Sequence, residues 1–359
     1  MATGALVLAG AAAGTLTVSA DSGLAPMTAE ELLVALSEPR AESLSGTVAV
    51  TADLGLPDLP RGMASGADVT SLASGTNTLR VWMDGQDRSR VAMIADAQES
   101  DVIRNGRDVW VWSSADKTAE HYVLPERDAK KAADAPTDWT DLPSTPQEAA
   151  AQALAAIDPT TEVTTSGIAR VAGRPAYELI LTPKQTDTLV DRVVISVDGE
   201  TRVPLRVQVF STEMTDPAFE VGFTSVDFAT PDPDVFAFVP PPGAEVTDHS
   251  ASGTDAMTGH SGPKPDDAMQ PTVVGTGWSQ VVVATMPTAD LAAASDAGPD
   301  SSTGADAMAL LQALPQTSGD WGTGRVLDGT LFSAILTDDG RIAIGAVSPE
   351  TLGAALAAQ

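Results

Sequence analysis

The sequence predicts an α+β protein: a large, mostly antiparallel sheet of about eleven strands interrupted by two short amphipathic helices, then a small C-terminal α/β module. Three observations predict it. Apolar residues recur at every second position through 44–124 and again through 160–228, the period of a strand with one buried face. Two segments, near 28–38 and 145–157, instead carry a capping sequence followed by an apolar stripe, the pattern of an amphipathic helix. A Gly-, Ser-, Pro- and Asp-rich stretch at 248–271 reads as a disordered linker and separates this series from a second one at 272–359. A hydrophobic fraction of 43% over 359 residues is ample for a real core.

The elements follow in order. Residues 4–18, GALVLAGAAAGTLTV, form an uncharged small-apolar run, and Val18-Ser19-Ala20 offers a cleavage-like site, so 1–26 reads as a signal peptide or a membrane anchor, with a buried helix as the third alternative. No Lys or Arg precedes Arg40 to supply a positive leader. Thr28-Ala29-Glu30-Glu31 is a capping box; Leu32, Leu33 and Leu36 then make an apolar stripe that Pro39 ends. Strands are expected near 44–54, 76–84, 88–96, 98–105, 108–114 and 119–124, with hairpin tips at Asp84-Gly85 and Asn105-Gly106. The stretch between the first two is too rich in Pro, Gly and Ser for a strand. Thr145-Pro146-Gln147-Glu148 opens the second helix, whose Ala150, Leu154 and Ile157 share a side before Asp158-Pro159 stops it.

A strand is expected at 160–171, then a three-strand meander through 171–210, then a last strand near 218–228. In the meander Tyr177, Leu179 and Leu181 share a face, as do Val193, Ile195 and Val197, and Leu205, Val207 and Val209. Asp198-Gly199 marks a hairpin that Glu200 to Val203 lengthen beyond two residues. Prolines in PDPDVFAFVPPPGAEV, where Phe236 and Phe238 alternate, are expected to end further pairing. The second module reads as a strand around Val281, a helix near 305–314, a hairpin turning at Asp339-Gly340, and a C-terminal helix capped by Ser348 with Pro349 first.

A formal net charge of −29 excludes nucleic acid as a partner, because phosphate binding needs clustered Lys and Arg, and it argues against charge-driven adhesion to anionic headgroups. With no cysteine there is no disulfide, thiolate metal site or lipid-bearing N-terminal cysteine.

Six strings carry a family resemblance: LSGTVAVTADLGLP (44–57), LRVWMDGQDRSRV (79–91), IDPTTEV (157–163), VAGRPAYELILTP (171–183), VVISVDGETRVPLRVQVF (193–210) and FAFVPPPGAEV (236–246). Through them residues 27–247 resemble actinobacterial members of the LolA/RseB-like superfamily of exported lipoprotein and lipid carriers. The resemblance implies a curved, unclosed antiparallel sheet, a half-barrel, with helices over its concave apolar face, and an extracytoplasmic protein, secreted or tethered to the outer face of the membrane. It implies no cofactor, and a lipid or lipidated protein bound between sheet and lid. The RseB side implies instead a sensor that binds a membrane regulatory protein through a two-domain layout. Alternation nominates Val48, Leu79, Val81, Val91, Met93, Val109, Val111, Tyr177, Leu179, Leu181, Val207 and Val209 for the sheet face, with Leu32, Leu33, Leu36, Leu154 and Ile157 on the lid. The same residues are also what an ordinary core contains. Trp82, Trp110 and Trp112 fall on the opposite face in this phase; alternation alone does not say which face is concave, and in the other phase these tryptophans line the pocket.

No catalytic signature is present, so no enzyme is read. The three histidines, His121, His249 and His260, are scattered, and no G-x-S-x-G, H-E-x-x-H or phosphate-loop string occurs. Asp248, His249, Asp255, Met257, His260 and Met269 contain soft-metal ligand types, but a solvated linker is the stronger reading. Asp227, Asp232 and Asp234 are better read as ending a strand than as a calcium site.

Overall fold

A computed structural model describes residues 24–37, 41–56, 74–95, 98–124, 143–249, 271–285 and 314–359. The signal or anchor segment through 23, Pro39, the loop at 57–73, the linker at 250–270 and the expected helix at 305–313 lie outside the described residues.

Twelve strands build the larger sheet: β1 (Ser43–Asp53), β2 (Ser74–Asp84), β3 (Arg88–Ala95), β4 (Gln98–Asn105), β5 (Asp108–Ser113), β6 (Thr118–Val123), β7 (Thr161–Val171), β8 (Arg174–Pro183), β9 (Val190–Asp198), β10 (Pro204–Ser211), β11 (Pro217–Asp227) and β12 (Glu245–Asp248). Their order is β12-β6-β5-β4-β3-β2-β1-β11-β10-β9-β8-β7, so the curved sheet stays open at β12 and β7. Eleven of the twelve match the expected strands to within a few residues. Tight hairpins follow from turn chemistry: Gly85 and Gly106 sit at φ 68 and 67, left-handed conformations that glycine adopts without Cβ strain. The two halves of the sheet meet where β11 returns to pair with β1, with a bulge between Thr47 and Val48.

Two helices lie on one face. α1 (Ala29–Ser37) begins with the expected box: Thr28 N donates to Glu31 Oε2 at 2.8 Å, and Glu31 N to Thr28 Oγ1 at 3.2 Å. α2 (Pro146–Ala155) repeats it with Thr145 and Glu148. Ile157 lies just past the end of α2 and still packs on the core.

The structure corrects the tail of this domain. The prolines at 240–242 do not end pairing; they carry the chain to the far edge, where β12 adds parallel to β6. A strand of four exposed residues has no buried face, so alternation gave it no signal. Phe236 is not in a strand either. It closes a 3-10 turn, Pro233–Phe236, capped by Asp232, and is buried against the outer face of the sheet, while Phe238 lies 5.4 Å from Trp110 and 6.1 Å from Trp112.

The C-terminal module is a second sheet of β13 (Thr272–Val274), β14 (Val281–Thr285), β15 (Gln316–Gly319), β16 (Gly322–Asp328), β17 (Ser333–Thr337) and β18 (Arg341–Gly345), in the order β13-β14-β18-β17-β16-β15, with helix α3 (Pro349–Ala357) packed on it. Every pair is antiparallel, so the module is α+β rather than α/β. The expected hairpin at Asp339-Gly340 is β17–β18, and Ser348 caps α3. The modules touch. Trp278 donates its indole N–H to Thr161 Oγ1 at 2.8 Å, Gln185 bridges to Thr276 and Ser279, and Leu189 N donates to Ala346 O at 2.8 Å. Trp278, Leu331 and Phe332 pack on the core of the larger sheet, so the two modules share apolar contacts.

The β9–β10 turn depends on Asp198, which is fully buried. It accepts from the Arg174 guanidinium, from Glu200 N at 3.0 Å and from Thr201 N at 2.7 Å. Burial alone would raise its pKa, but Arg174 and the turn amides hold it below the usual carboxylate value. A folded-state pKa below the unfolded value of about 3.9 means the stabilisation is present above that pH and is lost as pH falls through the folded pKa. Asp198→Ala is expected to cost about 3–5 kcal/mol in urea unfolding at pH 7, through the unpaired Arg174 and open turn. Asp198→Asn is expected to flatten the wild-type loss of stability below about pH 4.

Candidate functional site

The candidate site is the inner face of the large sheet, the face that carries the helices. Directly opposed residues in antiparallel strands share a face, so the register reads the surface across strands. One row runs Val50, Val221, Val207, Ile195 and Leu179, all buried. A neighbouring row contains Phe223, Val48, Leu79 and Met93, also buried. Over these rows sit Leu32 of α1, 0% exposed, and Ala149 and Ala150 of α2, with Leu33, Leu36, Leu154 and Ile157 half-buried at the margin. All five nominated lid residues therefore pack on the same core as the nominated sheet residues Val48, Leu79, Val81, Met93, Tyr177, Leu179, Leu181 and Val207, joined by half-buried Val91 and Val209.

The cover packs on the sheet through apolar side chains. Tyr177 donates its hydroxyl to Ala25 O at 2.7 Å, and Thr165 Oγ1 donates to Met27 O at 3.4 Å; both bonds hold the chain leading into α1. Among the described residues, one cavity is walled by α3 with Thr317 to Trp321 and another lies at β1, β2 and β11; both are away from the sheet–helix interface.

Among the described residues the same face continues beyond the helices. Val81, Val91, Val102 and Val111 stand opposite one another on β2, β3, β4 and β5. Their exposure rises from β2 to β4 and stays high on β5: Val81 is 1% exposed, Val91 half-buried, Val102 45% and Val111 38%. Three interstrand spacings make this track about 14 Å long. Val109 is buried on the same face, opposite Arg104 and Tyr122, and lies outside the helix-covered core. Val102 was missed in sequence because its same-face neighbours, Ser100 and Arg104, are polar and break the alternation; only its register against Val91 and Val111 places it. Val193, Ile195, Val221 and Phe223 were likewise not nominated, although their alternation is legible.

The remaining candidates are structural. Trp82, Trp110 and Trp112 lie on the outer face, as the phase of alternation requires. His121 stacks on Trp110 at 4.3 Å with its Nε2 2.9 Å from Asp108, tying β6 to β5, and His249, which stacks on Tyr122 at 4.6 Å and donates its backbone N–H to His121 O at 2.8 Å, fastens the end of β12 to β6. Asp227 accepts from Ala229 N, and Asp232 caps the 3-10 turn, so these acids end elements. Asp255, Met257, His260 and Met269 lie outside the described residues. Among the described residues no group of three His, Asp or Glu is placed to hold a metal ion, and no helix is long and apolar enough to cross a membrane.

No protein-family model and no curated protein matches the chain. Solved structures similar to it include the MucA/MucB complex of Pseudomonas aeruginosa, at 15% identity over 92% of this chain and 96% of that one, with a TM-score of 0.42. An uncharacterised conserved protein of Thermus thermophilus is similar at 10% identity over 61% and 98%, TM-score 0.36. A LolA-superfamily protein of Nitrosomonas europaea is similar at 13% identity over 59% and 99%, TM-score 0.25. The architecture implied by the LolA/RseB resemblance of the sequence, an open antiparallel sheet with helices on one face, is the architecture found.

Leu32 is the side chain that seats α1. Leu32→Ala removes a fully buried side chain and is expected to cost about 2–5 kcal/mol of local stability. Hydrogen exchange should then speed up across residues 24–37 while β8, β9 and β10 keep their protection.

Proposed function

We propose that the chain is an extracytoplasmic carrier that holds an acyl chain, of a lipid or of a lipidated protein, on the inner face of its sheet. The observation that carries this reading is the valine track that emerges from beneath the helices. It gives an acyl chain an apolar place to land beside a lid that is itself seated by apolar contact. Each buried methylene contributes about 0.8 kcal/mol, so a chain that first lies on Val102 and Val111 and then replaces Leu32 or Leu36 exchanges one apolar contact for another. The displaced cover gives up the Tyr177 and Thr165 hydrogen bonds among its ties to the sheet. No charge pairing is needed, which suits a chain of net charge −29.

A fluorescent fatty acid and a lipidated peptide should both bind saturably. Val102→Asp with Val111→Asp, both at exposed positions, is expected to weaken uptake by more than tenfold and leave the melting temperature unchanged. Val246→Asp, an exposed apolar residue on β12, serves as the control and should bind normally. A protein that stays empty in native mass spectrometry and takes up neither probe would overturn the reading.

A second reading, a sensor that binds a membrane regulatory protein, is favoured by the C-terminal module. There β15 is the edge strand of the described sheet, beside a cavity of about 330 Å³ walled by Trp321, Ile335 and α3, with Asp320 and Glu350 at its rim. An extended basic segment would pair with such an edge. Capture of a membrane regulator that is lost in Asp320→Lys/Glu350→Lys, with acyl uptake intact, would favour this reading over the first.

A further inference from the structure

We infer that the outer face of the large sheet carries a second binding site, a polar cleft that takes a neutral sugar ring. The cleft lies at the junction of β11, β1 and β2 and has a volume of about 230 Å³. Its origin is local. The register between β1 and β11 slips at Thr47 and Val48, where Thr47 pairs with Ser225 but Val48 with Phe223, leaving Thr224 unpaired in the bulge. The strands come so close here that a Cβ on Gly46 would sit 2.4 Å from Ser225 O and 2.9 Å from the Phe223 ring.

Register then sets six side chains in two rows on the outer face. Asp227, Ser45 and Trp82 form one row; Ser225, Thr47 and Arg80 form the other. The Arg80 guanidinium lies 4.9 Å from the centre of the Trp82 ring, which steadies it as a fork of N–H donors. Unlike Arg88 and Arg90, which pair with Asp84 and Asp101, Arg80 has no carboxylate within ion-pair distance among the described residues. It is exposed. Asp227 spends one oxygen on Ala229 N at 2.8 Å and faces the same cleft as an acceptor.

Charge selects the ligand. A free anion meets Asp227 in the cleft and the −29 field of the whole chain, and a cation meets Arg80. An apolar group would strand three hydroxyls and two charged heads. A ring of hydroxyls, each both donor and acceptor, satisfies Arg80, Asp227, Ser45, Thr47 and Ser225 together, with the Trp82 and Arg80 stack as its wall. The shared chemistry is the neutral glycan itself, whether free or displayed as a glycolipid headgroup. The site is on the opposite face from the acyl track and does not depend on it.

The test is titration of the full chain, followed at the Trp82 indole N–H resonance, with neutral oligosaccharides of glucose, mannose and N-acetylglucosamine, with vesicles containing a neutral glycolipid, and with inorganic phosphate. At least one oligosaccharide should shift that resonance saturably, and Arg80→Ala and Asp227→Asn should each weaken binding at least tenfold with unchanged melting and fatty-acid uptake. Vesicle binding that the free oligosaccharide competes away would assign the glycolipid source. Failure of every oligosaccharide, binding indifferent to both substitutions, a shift by phosphate alone, or vesicle binding abolished by Val102→Asp/Val111→Asp would overturn the proposal.

Discussion

Everything in the larger domain depends on the pairing of β11 with β1. Strands β1 to β6 and β7 to β11 are each built from local hairpins, and only this contact between the first and last strands of the antiparallel series makes them one sheet. The entropy of closing so long a loop grows only as its logarithm, so the pairing is cheap relative to the face it completes. Once made, it aligns Val50 with Val221 and Val48 with Phe223, and the inner face becomes a continuous apolar surface too wide for two short helices to cover. Gly46 is the position where this closeness is felt, since any side chain there meets β11.

The two faces of the sheet are finished differently. On the inner face α1 packs against β7 and α2 against β10 and β11, while Val102 and Val111 on β4 and β5 are exposed. On the outer face the chain after β11 wraps back as a strap, placing Phe236 and Phe238 over the sheet and its tryptophans. Beneath that strap Asp101 is 2% exposed and bonded to Arg90 Nη2 at 2.6 Å, while its other oxygen has no partner. Burial pushes the Asp101 carboxyl above its ordinary value, and Arg90 opposes the shift. A buried pair of this kind adds little net stability. It does point Arg90 Nη1 at Val235 O, 3.4 Å away, which registers the strap on the sheet. The C-terminal module closes a third side by packing Trp278, Leu331 and Phe332 at one end of the strands.

Much of this was legible in the chain because the physics involved is local. Period-two alternation marked eleven strands, Asx-Gly pairs marked their hairpins, and Thr-x-x-Glu marked both helix starts. The lid residues Leu32, Leu33 and Leu36 pack on the sheet's apolar face and Trp82, Trp110 and Trp112 lie on the other, because side chains two apart along a strand share a face; which face carries the helices is not written in that period. What escaped was whatever has no period: β12 with no buried residue, the 3-10 turn under Phe236, and Val102, an apolar residue in a polar strand.

Strands, hairpins, helix caps and the choice of apolar side chains could be read along the chain, because each is decided by neighbours within a few residues. Folding in three dimensions was needed to join the two strand series through β1 and β11, to lead the prolines to a parallel twelfth strand, and to leave part of the inner face bare beside the helices. It also set Arg80 beside Ser225 and Asp227. Those outcomes rest on contacts between residues far apart in the chain, and no periodicity within a segment encodes which distant edge will meet it.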